Sequence, residues 1–127
     1  MTNAAELLEE ARGLLRRSSP ETAGLWPRAA ALLGRQALEA ALEDLWRAKK
    51  LKLATCSTRA QLLCLREYLG DADLAGRAAQ AWGALSHACH HHPYELAPVV
   101  GELERWLATA AQVIGTAALG HDKENLA

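Results

Sequence analysis

Apolar residues recur every three to four positions along almost the whole chain, and no long stretch alternates one by one. Spacing of that kind gathers them on one face of an α-helix and leaves a half-buried strand with no apolar side. The first run is Leu7, Leu8, Ala11, Leu14 and Leu15. The second includes Trp26, Ala30, Leu33, Ala37, Ala41 and Leu45. A later one is Leu74, Ala78, Ala81, Trp82 and Leu85, continuing to Ala88 and Cys89. The last is Val99, Leu103, Trp106, Ala110, Val113, Ile114 and Ala117.

Capping and breaking residues divide the pattern. Thr2 or Asn3 caps a first helix to about Arg17, which Ser18-Ser19-Pro20 ends. A second helix starts between Glu21 and Trp26 and runs to about Lys49; Pro27 fits only in its first turn. A third starts at a cap within Cys56-Ser57-Thr58 and ends near Leu69-Gly70. Asp71 or Asp73 caps the fourth, and the fifth spans about Pro98 to Leu119. With 127 residues there is material for one core. The expectation is an all-α fold, a compact bundle of five helices, with a single domain over residues 1–120 and a flexible tail over 121–127.

Charge narrows the function. Fourteen basic and fifteen acidic residues leave a net charge of −1, a poor basis for gripping long nucleic acid by bulk electrostatics. Any such binding needs a local patch. One candidate exists: Arg47, Lys49, Lys50, Lys52 and Arg59 fall in a thirteen-residue stretch without an acid. It can serve as cations at a helix C-terminus, favoured by the helix dipole, or as a phosphate-contacting surface. No aromatic residue is interleaved, so base stacking is not indicated. Cys56, Cys64 and Cys89 lack CxxC spacing and read as reduced thiols in a cytosolic protein. No secretory signal and no span of about eighteen apolar residues is visible. Trp26, Trp46, Trp82 and Trp106 each lie on a helical stripe, as core or dimer-interface anchors.

Chemistry concentrates in Ser86-His87-Ala88-Cys89-His90-His91-His92-Pro93-Tyr94-Glu95, which holds four of the five histidines. The segment coincides with the end of the fourth helical pattern. Imidazolium groups at a helix C-terminus are stabilised by its dipole, and this suffices for His90 and His91. His87 and His91, four apart, are a candidate metal pair, with Glu95 or Cys89 as a further ligand. Cys89 as a nucleophile is disfavoured by its place on the apolar stripe beside Trp82 and Leu85.

The second helical run, from Arg28 through Arg35 to Leu42, resembles the early helix of the HEPN (higher eukaryote and prokaryote nucleotide-binding) superfamily. The segment Ala81 to Leu96 resembles an actinobacterial branch of it. The resemblance spans helices two to five. It implies a small helical bundle, usually a homodimer, and a metal-independent ribonuclease active as a toxin or in defence. The family motif is an arginine, four to six residues, then histidine, extended in one branch to His-any-Tyr. His92-Pro93-Tyr94 matches its second half. The arginine belongs at positions 85 to 87, where His87 stands at the four-residue spacing. In the family the histidine handles a proton at the ribose 2′-hydroxyl and the arginine stabilises charge on the scissile phosphate. Arginine does this with a permanently charged planar fork, which His87 lacks.

The resemblance therefore implies a catalytic group of His92, His87 and Tyr94 in a weakened or inactive site, without a cofactor. The protein would act by binding RNA or a protein partner. Alternatively it is an active endoribonuclease in which His87, or Arg35 from the second helix, replaces the arginine. A third reading is an interaction module linked to DNA-damage tolerance, partnered by a translesion polymerase. Tyr94 would be the residue modified by a partner nucleotidyltransferase in the toxin branch. In a regular helix His87 and His92 point roughly 140° apart, so convergence needs a break before Pro93 or a second chain.

Overall fold

Among the described residues five helices form in the expected order: α1 (Ala4–Arg16), α2 (Trp26–Ala48), α3 (Thr58–Leu69), α4 (Ala72–Ala88) and α5 (Val100–Leu126). The computed structural model describes residues 3–17, 26–90 and 95–126, with side chains described to residue 118. Among the described residues there is no strand.

The starts follow from local hydrogen bonding. Asn3 caps α1 by accepting from the Glu6 amide at 2.8 Å, and the Glu6 carboxylate accepts in return from the Asn3 amide. Ser57 and Asp71 cap α3 and α4 by the same side-chain device, accepting from Ala60 and Leu74. Pro27 lies in the first turn of α2, where its missing N–H costs nothing. Gly70 closes α3 in the left-handed conformation, φ 75°.

α2 is the centre. It packs against α1, α4 and α5. Its residues Leu38, Leu42, Leu45 and Trp46 are fully buried, together with Leu65 of α3, Leu85 of α4, and Leu103, Leu107 and Val113 of α5. Gly34 marks a close crossing. A Cβ placed there would lie 2.6 Å from a methyl of Leu107 and 3.4 Å from one of Leu85. α2 thus meets α4 and α5 at a point where a side chain would force Leu107 to move.

Contacts along the helices fix their directions. Arg35 meets Cys89 while Glu39 meets Trp82, so α2 and α4 are antiparallel. Arg77 of α4 bonds Gln112 of α5, and Gly34 lies against Leu85 and Leu107. One end of the bundle therefore carries the C-terminus of α4 and the start of α5. The opposite end carries the C-terminus of α2.

Two expectations change. Val99 is 61% exposed rather than inward. It precedes α5 and caps it: its carbonyl accepts from Glu102 and Leu103, and its N–H donates to the Glu102 side chain. A cap residue has left the helical register, so the stripe does not extend to it. Leu107, 1% exposed, takes the inward place. α5 also continues past Leu119 to Leu126. No proline stops it, and extending a formed helix by one residue is nearly free in energy. The apolar stripes of α2 and α4 pack into the common core with α1 and α5.

Gly34→Val should lower stability by roughly 1–3 kcal/mol, the usual cost of overpacking. Gly83→Ala, at an exposed α4 position with open space around its Cβ, should raise it by about 0.5–1 kcal/mol. Urea unfolding of the two variants beside the parent measures both.

Candidate functional site

Arg35, expected to bind nucleic acid together with the five cations of the basic stretch, does not share their patch. Arg47, Lys49, Lys50, Lys52 and Arg59 surround the α2–α3 connection. Arg35 stands twelve residues earlier on α2, about 18 Å along the axis, and faces the other end of the bundle.

The α2–α3 connection is held firmly. Its residues alternate: Lys50 and Lys52 are exposed, whereas Leu51 and Leu53 pack on the core. The leucines anchor the chain, and alternation turns the lysines outward. α2 ends with two reverse bonds, Lys50 N–H to the Arg47 carbonyl and Leu51 N–H to the Trp46 carbonyl. This is the Schellman arrangement, and it puts residue 50 in the left-handed region. Lys50 has φ 58°, where glycine is the favoured residue.

Further along, Gln61 donates to the Cys56 carbonyl and accepts from the buried Trp46 indole, both at 2.8 Å. Tyr68 meets Trp46 edge-on with centroids 5.9 Å apart. Sequence reasoning missed Gln61. Its signal was a polar residue four before Leu65, on the face that proves to be buried. All five cations project into solvent, and Arg47 alone has a described acidic partner, Asp44 at 3.2 Å.

At the opposite end, α4 stops at Ala88. Cys89 caps it, its N–H shared between the carbonyls of Leu85 and His87. The break lies well before Pro93, so the 140° separation of a continuous helix does not govern His87 and His92. The same break removes the helical basis for pairing His87 with His91. His91, His92, Pro93 and Tyr94 lie outside the described residues. The catalytic assignment of His92 and Tyr94 and the metal assignment of His91 rest on sequence. Among the described residues no three His, Cys, Asp or Glu side chains gather as a metal site.

His87 is exposed, and its Nε2 lies 2.6 Å from the Glu95 carboxylate. Behind it, Arg35, Glu39, Trp82, Ser86 and Cys89 form a polar seam between α2 and α4. Glu39 Oε1 accepts from the Trp82 indole at 3.1 Å and stands 3.5 Å from Arg35 Nε. Arg35 Nη1 donates to Cys89 Sγ at 3.5 Å, and Cys89 Sγ donates to the Ser86 carbonyl at 3.3 Å. Arg35 Nε and Ser86 Oγ are buried atoms without a hydrogen-bond partner among the described residues. Cys89 is half-buried in this seam, consistent with its place on the apolar stripe.

No described helix is long and apolar enough to cross a membrane. Comparison with family models, with curated proteins and with solved structures finds no match to this chain.

Two substitutions test the fastening of the α2–α3 connection. Gln61→Leu strands the Trp46 indole and the Cys56 carbonyl; it should cost about 1–3 kcal/mol, the price of burying unsatisfied polar groups. Lys50→Gly relieves the left-handed lysine and should stabilise the fold by about 1 kcal/mol. Thermal and urea unfolding read both signs.

Proposed function

We propose that this chain is a HEPN-like helical domain whose ribonuclease motif is degenerate, and that it acts by binding RNA. The carrying observation is the carboxylate of Glu95 against His87. In the family motif that region holds an arginine to meet the scissile phosphate. Here the residue at its four-residue spacing is an imidazole already engaged by an anion. A carboxylate at that distance repels phosphate and offsets whatever positive charge His87 carries. Groups of this electrostatic kind are worth about 10²–10³ in rate, so their loss leaves a binding surface more readily than an enzyme. The exposed cations of the α2–α3 connection supply phosphate contacts that need no catalysis.

A second reading is favoured by one observation. Arg35 Nη1 reaches Cys89, the residue before His90, and its Nε lacks a hydrogen-bond partner among the described residues. From there it could serve as the missing arginine of an active ribonuclease. Glu39, 3.5 Å away, offsets its charge and favours the binding reading.

The superfamily resemblance also implies a homodimer. Leu96, 98% exposed, and Val99 offer apolar surface in the α4–α5 connection. Sedimentation as a monomer would remove this part of the proposal.

Pure protein incubated with single-stranded RNA and chelator, beside His92→Ala and Arg35→Gln, tests the function. The expected result is salt-sensitive binding without cleavage. Metal-independent turnover lost in both variants would establish the second reading instead. No binding and no cleavage would sink both and leave a protein partner as the ligand.

A further inference from the structure

The bend after Ala88 brings two metal donors of different kinds to one spot, His87 Nε2 lying 2.6 Å from Glu95 Oε2. Both side chains are more than half exposed, so an ion reaches them without disturbing the core. His87 belongs to the last turn of α4, and the negative end of that helix dipole favours a cation there. Arg35, which reaches Cys89 at the same helix end, has its charge offset by Glu39 at 3.5 Å. An imidazole nitrogen beside a carboxylate oxygen suits zinc, whereas magnesium and calcium take oxygen ligands.

Two donors are half of such a site. Structural zinc is held by four ligands in a tetrahedron, and among the described residues no third His, Cys, Asp or Glu side chain joins these two. A second copy of the chain supplies the other half. A two-fold axis through the ion presents His87 and Glu95 twice, giving two nitrogens and two oxygens. The surface beside the donors fits a second copy as well. Leu96 follows Glu95 and is almost wholly exposed, and Val99 is exposed too. Facing copies would bury these side chains against one another and shield the ion from water.

We propose that one zinc ion joins two copies of this chain, held by His87 Nε2 and a Glu95 carboxylate oxygen of each. The proposal rests on the homodimer reading above, names what closes that dimer, and is independent of RNA binding. Tetrahedral ligands about 2.0 Å from zinc lie about 3.3 Å from one another. His87 and Glu95 therefore separate slightly as the ion takes the place of the hydrogen between them. The His87 ring binds as neutral imidazole; where it is protonated, the Nε2 proton passes to solvent.

Sedimentation velocity of the full chain, with EDTA and with half an equivalent of zinc chloride, tests this, the bound zinc being measured on the separated species. The expected result is a monomer with EDTA and a dimer with zinc, carrying one ion per two chains. His87→Gln and Glu95→Gln should each abolish the zinc-dependent dimer, whereas His90→Gln should dimerise like the parent. Both donors are exposed, so the two variants should melt with EDTA at the temperature of the parent, which separates a lost site from a lost fold. Zinc bound at one ion per monomer, or bound equally by His87→Gln, belongs to the other histidines and overturns the proposal. A dimer that forms equally with EDTA overturns the zinc bridge and leaves the homodimer reading standing. A monomer under both conditions removes both.

Discussion

The close approach of α2 to α4 and α5 at Gly34 governs this molecule. The chain has no phenylalanine and relies on alanine and leucine for its core. Small side chains bury little area each, so the helices must come near one another for dispersion and water exclusion to add up. At Gly34 a Cβ would collide with a methyl of Leu107 unless that side chain moved. Everything else is arranged around the resulting position of α2. Its central course puts Trp46 deep at one end, where α3 can fasten to it, and Arg35 at the level where α4 ends.

Much of the fold was legible in the residues. Helical spacing and the caps at Asn3, Ser57 and Asp71 located the elements, because capping is a short-range hydrogen bond between neighbours in sequence. Val99 was misread because a cap residue resembles the first residue of a stripe until its φ and ψ are known. The end of α5 was misread because nothing in the tail forbids a helix, and absence of a breaker carries little information. Leu107 escaped notice because long apolar stretches on α5 left its facing residue ambiguous until α2 was in place.

Less of the candidate site could be read. The basic stretch was visible as charge, but its left-handed lysine and its fastening through Gln61 depend on backbone geometry and on Trp46, fifteen residues away. Arg35 looked like one more cation and instead belongs to a polar seam with Glu39, Trp82 and Cys89. Partners that distant in sequence leave no local signature. The His87–Glu95 contact joins two residues that were noticed separately, and the bend after Ala88 brings them together.

Gln61 links the buried indole of Trp46 to the backbone of the α2–α3 connection, and Leu51 and Leu53 pin the same segment to the core. That fastening has a consequence for association. A flexible basic loop loses conformational freedom when it meets a charged partner, and the loss subtracts from affinity. Here the backbone bearing the lysines is ordered beforehand, so the entropic penalty of binding is confined to the side chains. The core indole thereby sets the order of a surface that it never touches.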